Sequence, residues 1–155
     1  MRSHLKITVA GLAAAACVAT AALAGGHAGN PAVKARQAHM QLYAFNLGIL
    51  GAMAKGDAEY NADAAAGAAN NMASLSGAYQ MAYWTPGTDS DSVDTSKAAA
   101  AMWDNIEDAV AKGMALNEAS VALAAVAGDS LEALQGAMGP VGAACGACHK
   151  AYRVK

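Results

Sequence analysis

Two thiols and an imidazole stand together near the end of the chain, in the run Cys145-Gly146-Ala147-Cys148-His149. Cysteine pairs at this spacing serve several chemistries. They form disulfides in oxidising compartments, supply half of a four-ligand zinc site, or act as a redox dithiol at the start of a helix in an α/β fold. No second pair is present to complete a zinc site, and no strand pattern surrounds this one. The histidine directly after the second cysteine selects a different chemistry. Cys-x-x-Cys-His is the attachment signature of haem c: both thiols add to the haem vinyl groups, and the adjacent imidazole reaches the iron. Cys145 and Cys148 are therefore expected to carry one covalent haem c, with His149 as an iron ligand.

The start of the chain says where such a group is attached. Arg2, His4 and Lys6 form a positive head, an apolar run extends from Ile7 to about Ala22, and Ala22-Leu23-Ala24 offers the small residues a signal peptidase reads. A signal peptide over residues 1–24, cleaved after Ala24, and export to the periplasm are expected. The apolar run is short for a bilayer span, so no stable membrane insertion is expected after cleavage. Cys17 lies inside this run and leaves with it. The remainder, 25–155, has 8 basic and 12 acidic residues, a formal charge of −4. It carries no basic stripe, which argues against a nucleic-acid partner.

Composition points to helices. The chain is alanine-rich, with 55% hydrophobic and only 5% aromatic residues, and alanine loses the least side-chain entropy in a helix. Four helical segments are predicted. The first runs from Pro31 to Ala54, with Val33, Met40, Leu47 and Ala54 at seven-residue intervals and Arg36, Ala44 and Leu50 near the same stripe. Lys55-Gly56-Asp57 ends it. The second runs from Asn61 to Tyr83 on a face of Ala65, Ala68, Met72, Leu75 and Tyr79, and residues 85–95 form a polar loop. The third runs from Ser96 to Ala127. The fourth runs from Leu131 to Arg153, with Ser130 as its cap and Pro140 as a kink or restart. Four helices with short connections predict an all-α, antiparallel four-helix bundle with the cofactor between helices. Cys145, Cys148 and His149 fall within about one turn of the last helix, so all three are expected to point inward.

A haem motif at the C-terminal end of such a pattern resembles the cytochrome c' family. Further segments fit it in order: Arg36-Gln37-Ala38, then Gly51 to Gly56, Leu75-Ser76, Trp84-Thr85-Pro86-Gly87-Thr88, Met102-Trp103, Ala127-Gly128-Asp129 and Cys148 to Arg153. The likeness covers essentially all of the mature chain. The family divides by what faces the iron opposite the histidine. High-spin members place an apolar residue there and take up small gases; low-spin members of the c-556 type place a methionine. Counted from the Arg-Gln pair, that position is Met40, so the resemblance implies His149/Met40 ligation. It also implies that Arg36, four residues before Met40 on one helix face, meets a haem propionate. His39 is turned about 100° from Met40 and reads as a surface histidine. Arg153 lies close enough to the haem motif to act on its proximal side, and Trp103 reads as packing.

The expected function is one-haem electron transfer. Both axial positions are then filled in either redox state, and a thioether ligand favours ferrous iron. Partners would be periplasmic redox proteins. The alternative is a high-spin gas-binding protein for nitric oxide or carbon monoxide. No catalytic constellation is visible, so an enzyme is not expected. Family members often dimerise through their first two helices, and the alanine-rich surfaces here permit a homodimer.

Overall fold

The computed structural model describes residues 29–155; the expected leader, its cleavage site and His27 lie outside the described residues. The described chain forms α1 (Pro31–Lys55), α2 (Ala62–Gly77), a 3₁₀ turn at Met81–Tyr83, a short α3 (Ala101–Asp104), α4 (Ile106–Val126) and α5 (Leu131–Tyr152). Among the described residues there is no strand, only an isolated antiparallel bridge between Ala98 and Arg153. The four long helices pack in a ring, α1 on α2, α2 on α4, α4 on α5 and α5 on α1. This is the expected four-helix bundle.

The helix ends follow from local chemistry. The Asn30 carbonyl oxygen on its side chain accepts from Ala32 N at 2.9 Å and Val33 N at 3.3 Å, and Pro31 suits the first turn. Gly56 closes α1 at φ 80°, a left-handed value that favours glycine, and Asp57 N donates to Ala52 O at 2.9 Å. Asn61 caps α2 and Ser130 caps α5 in the same way.

Three boundaries depart from the sequence expectation. The second helix stops at Gly77 rather than Tyr83. Ala78 turns extended, and Gln80 folds back to donate to Leu75 O at 3.4 Å and Tyr43 Oη at 3.1 Å. The third helix starts late and is broken. Residues 97–99 pair with the C-terminal segment instead of coiling, and Asn105 leaves the helical region where its side chain bonds back to Ala101 O at 3.0 Å. Pro140 does not restart α5. It and Gly136 are both exposed, so the carbonyl that loses its partner faces water.

The core is built from small and medium side chains. Leu50 and Met53 of α1, Ala65, Ala68, Ala69 and Met72 of α2, Leu123 and Ala127 at the end of α4, and Leu134 and Val141 of α5 form one cluster. Alanines on α2 let backbones approach closely: a Cβ on Gly128 would meet Ala66 Cβ at 3.1 Å. The buried α1 face is Val33, Arg36, Tyr43, Asn46, Leu50 and Met53, whereas Met40 and Leu47 are half-buried at its edge and Ala44 is exposed.

Candidate haem site

Of the two thiols, Cys145 packs against the core cluster and Cys148 lies beyond it. Between Ile106 and Ala119, the first two-thirds of α4, no side chain is buried, and the buried residues of this helix are Ser120 and Leu123. Cys145 and Cys148 stand on the α5 face that also carries Val141 and Tyr152, and they face this under-covered stretch. Both are half-buried and free of any disulfide. Burial pushes both thiols up; Cys148 raises Cys145 further, while Lys112 opposes the rise at Cys148 and Asp108 adds to it. The two thiols lie within one helical turn on one face, the spacing that the haem attachment signature needs.

His149 departs from expectation in its surroundings: it is exposed, not turned inward. The inward face runs through Val141, Cys145, Cys148 and Tyr152, and position 149 falls on its flank. Burial and the neighbouring Arg153 both lower its pKa. That favours the neutral imidazole, the form with a lone pair for a metal.

Across from α5, α1 supplies Met40. Its side chain rests on the same core cluster as Cys145. One turn on, the Tyr43 hydroxyl is pushed up to about 12, chiefly by burial, with Gln80 opposing and Tyr83 and Cys145 adding. On the remaining side, Tyr152 donates to Asp108 Oδ2 at 2.5 Å and Lys112 donates to Asp108 Oδ1 at 2.8 Å, which ties α4 to α5 beside Cys148. Two neutral thiols, a neutral imidazole, a thioether and a loosely covered helix face together fit a flat, largely apolar macrocycle with iron at its centre. Among the described residues no group of three or more His, Cys, Asp or Glu could hold a metal by itself.

Arg36 is 3% exposed. Its Nη1 donates to Thr88 Oγ1 at 2.7 Å and Tyr83 O at 3.4 Å, and its Nη2 donates to Ser96 Oγ at 2.7 Å and to Thr88 O. The guanidinium also lies 5.0 Å from the Trp84 ring centroid and 5.9 Å from that of Trp103. These oxygen partners are all uncharged; Asp89 supplies the nearby negative charge. Trp103 therefore packs on Arg36, and its Nε1 donates to Trp84 O at 3.2 Å.

His39 is not the surface residue that sequence suggested. Its ring packs edge-on against Tyr43 at 4.7 Å, and its Nδ1 hydrogen-bonds the Tyr83 hydroxyl at 2.8 Å. Nε2 is buried and has no partner of hydrogen-bond geometry, although the Leu75 carbonyl lies near enough to favour the charged ring. Burial outweighs this and lowers the pKa. The sequence held one signal of it, the i,i+4 pairing of His39 with Tyr43.

Comparison with known proteins decides the family. The family model described as Cytochrome C' matches residues 31–153. The chain belongs to the cytochrome c' family. Its members bind a single covalent haem c, and this cytochrome has the two cysteines for it. It is 37% identical over 123 residues to cytochrome c-554 of Cereibacter sphaeroides, covering 79% of this chain and 80% of that one. It is similar in structure to cytochrome c' from Rhodobacter Spheriodes, with a TM-score of 0.78 and 40% identity over 80% of this chain and 95% of the other. It is also similar to a nitric oxide complex of a leucine variant of cytochrome c prime from Alcaligenes xylosoxidans, with a TM-score of 0.69 and 36% identity over 80% and 94% of the two chains. Another variant of that protein has carbon monoxide bound.

Proposed function

We propose that this cytochrome is a periplasmic one-haem electron carrier, with thioether links at Cys145 and Cys148 and iron held between His149 and Met40. The observation that supports it best is the placement of Met40, half-buried on α1 and resting on the same core cluster as Cys145 of α5. Bound haem supplies a ferric–ferrous couple. The chain supplies the rest. His149 offers a neutral imidazole and Met40 a soft thioether, a set that favours the ferrous state. Helices α1 and α5 carry these groups, and with both axial positions filled an electron arrives with little movement of ligands. Arg36 adds a buried positive charge that would offset a propionate. A Met40→Leu variant tests the reading. The ferric protein should lose its long-wavelength sulfur-to-iron band and turn high-spin. A low-spin spectrum kept by the variant rejects Met40 as ligand.

A second reading, uptake of nitric oxide or carbon monoxide, is favoured by the gas complexes of the Alcaligenes xylosoxidans protein. The two readings separate on the ferrous wild-type protein: a carrier takes up carbon monoxide slowly, limited by release of Met40, whereas an open iron takes it up at once.

Two further expectations belong here. Export with cleavage after Ala24 rests on the leader pattern. A homodimer through α1 and α2 rests on Leu42 and Phe45, 50% and 66% exposed, beside a shallow groove formed with Asn46, Asn71, Ser74 and Leu75.

A further inference from the structure

The two proposed iron ligands come from α1 and α5, the neighbouring helices that pack least closely in the ring. A continuous run of hydrogen bonds joins them at the haem end. It begins at Arg36, one turn before Met40, whose Nη2 donates to Ser96 Oγ at 2.7 Å. Ser96 is 2% exposed, and the same oxygen accepts from Ala98 N at 3.2 Å. Ala98 forms the bridge to Arg153: Ala99 N donates to Tyr152 O at 2.9 Å, and Val154 N donates to Lys97 O at 3.0 Å. That pairing begins one turn beyond His149. The outer part of the loop is held too, by Ser90 N to Ala98 O at 2.7 Å and by the Arg36 bonds to Thr88.

We propose that residues 88–99 are a strap that sets the distance between α1 and α5 at the iron, and that Ser96 is a positioning residue for the Met40 ligand, acting through Arg36. This rests on the reading of Met40 as an iron ligand. Ser96 Oγ is the shared acceptor for a buried cation and a backbone amide, so removing it leaves two donors short of a partner at once. The apolar core cluster, which reaches Met40 only at its edge, offers no polar group in place of the lost oxygen. The first turns of α1 then keep only the outer tie through Thr88 and Ser90, and the sulfur of Met40 spends more time away from the iron. The strap thus sets how readily a gas finds the sixth position.

The test compares wild type, Ser96→Ala and Ser96→Thr, all as haem-loaded full chains. Three readouts are taken well below the thermal transition: the ferric sulfur-to-iron band, the rate of carbon monoxide uptake by the ferrous protein, and amide hydrogen exchange at Ala99 and Val154. Ser96→Ala should weaken the band and speed carbon monoxide uptake about tenfold, the effect of one lost charge-assisted hydrogen bond on a two-state opening. Exchange at Ala99 and Val154 should quicken while that at Leu123 stays slow. Ser96→Thr keeps the hydroxyl and should restore all three. If Ser96→Ala exchanges faster but keeps wild-type band and uptake, the strap is structural only and the proposal falls. If wild type itself lacks the band, Met40 is not a ligand, and the proposal falls with that reading rather than by itself. Should Ser96→Ala fail to fold, Thr88→Val removes the hydroxyl partner of Nη1 and must move the same readouts for the proposal to stand.

Discussion

Tyr43 and Tyr152 hold opposite flanks of the haem-bearing turns, and both are pushed up to about 12. At Tyr43 the first cause is burial; at Tyr152 it is the hydrogen bond to Asp108. A pKa raised in the fold means that the neutral phenol is favoured there. The stability this confers is complete below pH of about 10, the unfolded value, and is lost as pH rises through about 12. Asp108 works in the opposite sense. Lys112 first, then Tyr152, hold its carboxyl below the usual range, so its contribution is present at neutral pH and lost as pH falls through the lowered value. Ultraviolet titration should therefore show Tyr43 and Tyr152 ionising last, near the alkaline unfolding transition, with Tyr83, also raised by burial, among the late group. Tyr43→Phe and Tyr152→Phe should each remove one of them; a late phase that keeps its amplitude in both variants would reject the assignment. The haem motif was legible in full as sequence, because its chemistry depends on residue types at fixed spacing. The surroundings of His149 and His39 were not. Helical spacing gives a direction from the axis, but which direction is covered depends on neighbours far along the chain. Tyr83 is 44 residues from His39.

At the level of elements, α2 is held by smallness. Ala65 and Ala69 are fully buried, whereas Ala64 on the opposite side is exposed. Ala69→Leu should destabilise the fold by about 1–3 kcal/mol through overpacking, and Ala64→Leu should leave it near wild type. Chemical denaturation of the two variants measures the difference, and equal midpoints would contradict the packing described. Boundaries set by local chemistry were readable at Pro31, Gly56 and Ser130, which act where their residue types suggest. Boundaries set by distant partners were not. The run from Lys97 to Ala101 has high helix propensity, yet Lys97 and Ala99 pair with Val154 and Tyr152. Propensity is a weak term beside backbone partners supplied from more than 50 residues away.

For the whole molecule, the outward surface of α1 and α2 is where association belongs. Phe45→Asp places a charge in the middle of that face, next to Leu42. Sedimentation should show wild type at twice the chain mass and the variant at once, with an unchanged haem spectrum. A variant that still sediments as a dimer moves the interface elsewhere. The bundle itself was legible from four amphipathic segments and their short links, and so was the place of the haem at its C-terminal helix. The uneven cover along the helices was not, since periodicity shows which face is apolar and not how far along the axis it is covered. The buried residues of α4 are confined to its last turns, and Met40 and Cys145 pack against the core cluster as half-buried residues rather than within it. On the ligation proposed above, the residue opposite the histidine stands at the rim of the core, where a lineage can exchange it, and pass between carrier and gas binder, at small cost to the bundle.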